Sequence, residues 1–134
     1  MRARLADPWF EAEFYGHVSA TGLRRQGGNI DGAQGLFLWC PCGYQVLDAD
    51  GKEKYPLDLS LKKGRPHGVM IPFANPRNAL ACPADHGPVD RAGGHPRWTM
   101  TGTGLDDLTL TPSVAVGGAP ECWHGFITNG EVTG

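Results

Sequence analysis

Apolar residues in this chain come in short compact bursts rather than in long helical stripes. LFLWC (36–40), YQVLD (44–48), VMIPF (69–73), RWTMT (97–101), LTLTP (108–112) and CWHGFIT (122–128) are bounded by Gly, Pro, Asp or Asn. That pattern predicts strands separated by tight turns. Asp50-Gly51 and Asn129-Gly130 are hairpin-type turns, the second closing a terminal hairpin. Asp7 before Pro8, with Glu11 and Glu13 behind, starts a short helix, although Phe10, Ala12 and Phe14 also alternate as in a strand. Residues 20–35 read as a long glycine-rich loop. Trp9, Phe10, Phe14 and Tyr15 crowd four rings into seven residues, which predicts an exposed interface arm, or else a segment folded over an open end of the core.

These elements predict a mainly β, loop-rich domain: a small antiparallel β-barrel or sandwich with at most one or two short helices. It spans 1–134 as one unit, with an N-terminal arm and glycine-rich loop over 1–35 and a β core over 36–134. An inserted loop occupies about 77–96. With 20 Gly and 11 Pro among 134 residues, turns dominate over helices. The formal charge of -2, with Arg24-Arg25 and Lys62-Lys63 as scattered doublets, gives no electrostatic reason to expect nucleic acid. No stretch is long enough for a membrane span and MRARLADPWF lacks the apolar core of a signal peptide, so a reducing cytoplasm is expected.

In that compartment four cysteines suit a metal better than a disulfide framework, although one disulfide between the two Cys-containing segments is an alternative. Cys40-Pro41-Cys42 and Cys122-Trp123-His124 each place two soft ligands two residues apart. On extended chain both side chains of a pair leave one face. Together Cys40, Cys42, Cys122 and His124 make a full tetrahedral set for a structural zinc stapling the core. The competing reading makes the cysteines small buried hydrophobes and His124 an ordinary histidine satisfied by a carbonyl. In the inserted loop, Cys82 and His86, with His67 or His95, are a second candidate site, and Cys82 could replace Cys42; a plain surface loop is the alternative.

The familiar catalytic patterns are missing: no His-Glu-x-x-His, no Gly-x-x-x-x-Gly-Lys, no Gly-x-Ser-x-Gly elbow. A zinc- or thiol-dependent hydrolase remains as an alternative, the thiol being Cys122 or Cys82 with His124 or His86 as base. Asp106 and Asp107 are expected to cap a turn.

The succession WCPCG, IPFANP, DLTLTPSV and CWHGFITNGEV, from Trp39 to Val132, resembles a family of short uncharacterised proteins of tailed bacteriophages and prophages. That family carries CPCG, PF-x-NP, L-T-L-x-P-S and CWHGFI-x-x-G boxes. Its members often bear the name ammonia monooxygenase, which does not suit a chain without a membrane span. The resemblance implies that Cys40, Cys42, Cys122 and His124 fall where the family's own Cys and His fall. The function it suggests is a non-enzymatic virion component, a capsid cement or a neck or tail accessory, stabilised by zinc. Such a component is made in the host cytoplasm, with other virion proteins as partners and neither membrane nor specific nucleic acid. The alternative is a small zinc-binding phage accessory or host-takeover factor acting on a bacterial protein.

Overall fold

The computed structural model describes residues 2–19, 22–41, 67–77, 80–90, 92–116 and 123–134. In chain order the described elements are β1 (Arg2–Arg4), a single 3-10 turn (Pro8–Phe10), β2 (Glu13–Ser19), β3 (Gly22–Gly27), β4 (Gly35–Trp39) and β5 (Gly68–Pro72). They continue with β6 (Thr99–Thr101), β7 (Thr109–Thr111), β8 (Val114–Val116), β9 (Trp123–Thr128) and β10 (Glu131–Thr133). Two four-stranded sheets have the orders β1-β10-β9-β8 and β3-β2-β4-β5, and β6 and β7 form a separate ribbon. Every ladder is antiparallel, as expected. Among the described residues the sheets are open and none closes on itself, which corrects the barrel alternative.

One apolar core joins the sheets. Phe14, Leu36, Leu38 and Ile71 come from one four-stranded sheet, Val114, Trp123, Ile127 and Val132 from the other, and Met100 and Leu110 from the ribbon. Alternation explains which side chains reach it. In β9, Trp123, Gly125 and Ile127 point inward and His124, Phe126 and Thr128 outward. The Asn129-Gly130 turn forms as predicted, with both residues at positive φ (49° and 75°). It is tied to the ribbon by Gly130 N donating to the Leu108 carbonyl at 2.9 Å.

Three expectations for the N-terminal third are corrected. The short helix expected to start at Asp7 and Pro8 is a single 3-10 turn: the Asp7 carboxylate accepts from Trp9 N at 2.9 Å, and Glu11, at φ 45°, ends it at once. The alternation of Phe10, Ala12 and Phe14 prevails beyond that point. The glycine-rich loop contains β3, which pairs with β2. β3 is exposed along nearly its whole length, so no apolar alternation marks it in the sequence. The aromatic segment is no free arm, because Phe10, Phe14 and Tyr15 are fully buried and Trp9 packs against the core. The expected strand YQVLD and the Asp50-Gly51 turn lie outside the described residues.

The inserted loop lies against this frame. Gln34 Nε2 donates to the Leu80 carbonyl at 2.8 Å, and Trp98, just beyond the loop, bridges Phe73.

Candidate active site

β8 and β9 form a short antiparallel ladder in which Val114 faces Gly125, Ala115 faces His124 and Val116 faces Trp123. Ser113 immediately precedes β8, at the corner where the chain leaves β7 through Pro112. Carried back one residue, the ladder sets Ser113 across from Phe126 and diagonal to His124 on the same outward face. Diagonal neighbours are within reach when one side chain is long. The imidazole spans the gap, and His124 Nε2 lies 3.0 Å from Ser113 Oγ.

Both partners are held by their elements rather than by chance rotamers. The Ser113 carbonyl accepts from the indole Nε1 of buried Trp98 at 3.2 Å, and the next residue, Val114, is buried in the core. His124 is fixed outward by the alternation of β9. At Gly125 an added Cβ would lie 1.8 Å from the Thr133 carbonyl oxygen, so glycine is required for β9 to approach β10 beside the histidine. His124 is exposed and Ser113 half-buried, so the pair is open to solvent. With its ring proton on Nδ1, His124 accepts from the serine hydroxyl. That is the arrangement of a nucleophile and its general base.

A second hydroxyl–imidazole pair lies under the inserted loop. His86 Nε2 is 3.2 Å from the Tyr15 hydroxyl. Burial pushes the Tyr15 hydroxyl far above the ordinary tyrosine range, with the Cys82 thiol adding to the rise, so the hydroxyl stays protonated beside the His86 ring. Burial, and then the Arg97 charge, holds His86 below its ordinary 6.5. Arg97 Nη1 donates to the His86 carbonyl at 2.8 Å and to Cys82 Sγ at 3.1 Å, and its Nη2 donates to the Pro83 carbonyl at 2.6 Å. Burial raises the Cys82 thiol against the opposing pull of Arg97. A thiol kept protonated and shielded is a poor nucleophile. Arg97 braces the loop through these hydrogen bonds, and His86 Nε2 faces Tyr15.

The expected zinc ligands divide. Cys42 and Cys122 lie outside the described residues, as does any thiol chemistry of Cys122. Cys40 is buried, its N–H donating to the His67 carbonyl at 2.8 Å. Among the described residues no three His, Cys, Asp or Glu side chains gather so as to hold a metal ion. Of the second-site candidates, His95 Nδ1 is 3.1 Å from the Gly87 carbonyl, facing backbone. Asp107 does cap a turn: its carboxylate accepts from Thr103 N, Thr103 Oγ1 and Gly104 N at 2.9 Å each, and the Thr103 hydrogen bonds lead in holding its pKa low. A polar cavity of about 290 Å³ beside β3, lined by His17, Arg24, Arg25 and Gln26 among others, contains neither Ser113 nor His124.

Ser113 was missed by sequence reasoning. Its signal was the word LTLTPSV eleven residues ahead of the histidine box, a spacing that a hairpin converts into a diagonal contact.

Residues 69–133, just under half of the chain, match the model of a family described as a bacterial ubiquitination-like system serine protease (BubE). No curated protein and no solved structure gives a significant match. The matched residues include Ser113 and His124. The match overturns the expectation of a non-enzymatic phage structural protein, and with it the virion location and the virion partners. It equally overturns the alternative of a phage accessory or host-takeover factor.

Proposed function

We propose that this chain is a serine peptidase in which Ser113 is the nucleophile and His124 the general base, acting on a polypeptide of a bacterial ubiquitination-like system. The observation that carries the reading is the 3.0 Å contact between Ser113 Oγ and His124 Nε2 on an open sheet face. The serine-protease family model that covers both residues supports it.

In the reaction, Nε2 takes the hydroxyl proton as Oγ bonds to the scissile carbonyl carbon. His124 then passes that proton to the departing amine as the C–N bond breaks. Water, deprotonated by the same imidazole, attacks the acyl-serine and restores the hydroxyl. The indole of Trp98 and the first ladder pair of β8 hold the serine backbone still, so the hydroxyl meets the base without a search through rotamers.

A fluorophosphonate probe followed by peptide mass spectrometry tests this. The expected adduct is on Ser113, and it is lost in Ser113→Ala and greatly slowed in His124→Gln. An adduct elsewhere, or labelling undiminished in Ser113→Ala, would sink the assignment.

A further inference from the structure

The outward face of β9 carries Phe126 two residues beyond His124, and this residue is 54% exposed. The alternation of the strand keeps it there. Trp123, Gly125 and Ile127 occupy the inward positions, so Phe126 cannot turn into the core without flipping the whole strand. On one side Phe126 pairs with Thr133 of β10. On the other, the β8–β9 register carried one residue past Val114 and Gly125 sets it across from Ser113. Side chains paired across strands have Cβ atoms about 4.5–5.5 Å apart. An apolar group bonded to Ser113 Oγ can therefore reach the ring. Ala115, opposite His124, offers only a methyl group, so among the described residues Phe126 offers a large exposed apolar surface next to the proposed nucleophile.

We infer that Phe126 is a specificity-determining contact: the acyl portion of the substrate, which stays bonded to Ser113 until water releases it, packs an apolar group against this ring. The inference rests on Ser113 and His124 being the reacting pair. It assigns Phe126 to substrate binding rather than to chemistry, so its effect falls on KM more than on kcat.

A series of p-nitrophenyl esters, acetate, butanoate and hexanoate, reads the contact while the leaving group stays constant. Burial of a methylene contributes about 0.8 kcal/mol, or roughly fourfold. The wild-type kcat/KM is therefore expected to rise by about two- to fourfold for each CH2 added. Phe126→Ala should flatten that rise, chiefly by raising KM for the longer esters, and Phe126→Leu should restore most of it. An identical chain-length dependence in Phe126→Ala, with wild-type Ser113 carrying the fluorophosphonate, would overturn this inference and leave the serine assignment intact. Failure of wild-type protein both to take the probe at Ser113 and to cleave any ester would overturn the two together.

Discussion

Among the described residues two hydroxyl–imidazole pairs stand in contrasting surroundings. Ser113 and His124 meet at 3.0 Å on the outward face of the β8–β9 ladder, where a substrate can reach them. Tyr15 and His86 meet at 3.2 Å beneath the inserted loop, with Tyr15 fully buried. Distance and atom types are nearly the same, so neither separates the pair proposed to react from the buried one. Surroundings decide. Around Tyr15 burial drives the hydroxyl toward permanent protonation, and Arg97 fills the loop interior with hydrogen bonds. Around Ser113 the sheet face is open. A titratable cluster marks an active site only when something can enter it.

The comparison can be broken most decisively by exchanging what each pair loses. Ser113→Ala should lower hydrolysis by roughly 10³–10⁴-fold with little change in melting temperature, whereas Tyr15→Phe should leave turnover near wild type. Turnover and thermal melting on the same samples decide; loss of activity in Tyr15→Phe without unfolding would mean the pairs are coupled. Next in size, Gly125→Ala should destabilise by about 1–3 kcal/mol, because its methyl collides with the Thr133 carbonyl that the close β9–β10 approach brings near. Chemical denaturation measures this, and an unchanged midpoint would show that the strands separate freely. Tyr15→Phe should cost about 1 kcal/mol through the hydrogen bond lost to His86, read as a lower melting temperature.

The smallest effect is a pH dependence. Burial, the Arg97 charge and, more weakly, His95 hold His86 below 6.5, with only Asp85 opposing. The unfolded chain therefore takes up a proton that the folded chain refuses. Stability contributed by this site is full well above 6.5 and falls as pH drops through that value. Melting temperatures between pH about 7.5 and about 5.5 should decline less in His86→Gln than in wild type. Parallel declines would place the proton elsewhere.

Much of the fold was legible because local pattern and tertiary role agree. VMIPF, RWTMT, LTLTP and CWHGFIT become β5, β6, β7 and β9 almost in place, and Asn129-Gly130 turns as its residue types require. β3 was illegible because its strand character comes from pairing with β2, and neither of its faces is buried. The aromatic segment was misjudged because counting rings says nothing about the core available to take them in. Of the proposed site, His124 stands out in the sequence through its neighbour Cys122, where it reads as a metal ligand, since a ligand and a base use the same imidazole nitrogens. Ser113 did not stand out, because its chemistry depends on a cross-strand register and it sits in no glycine-flanked elbow. One hydroxyl among many carries no local mark of a partner eleven residues away.

Trp98 has a consequence for anyone who would move this site elsewhere. Its backbone is stitched to the sheet containing β5, donating to the Pro72 carbonyl at 3.0 Å and accepting from Ala74 N at 2.7 Å. Its indole, meanwhile, steadies the Ser113 carbonyl in the other sheet. A transplant of the β8–β9 hairpin alone would carry both side chains of the proposed pair and leave their brace behind. The smallest portable unit is the hairpin together with the Trp98 segment and the strand it leans on.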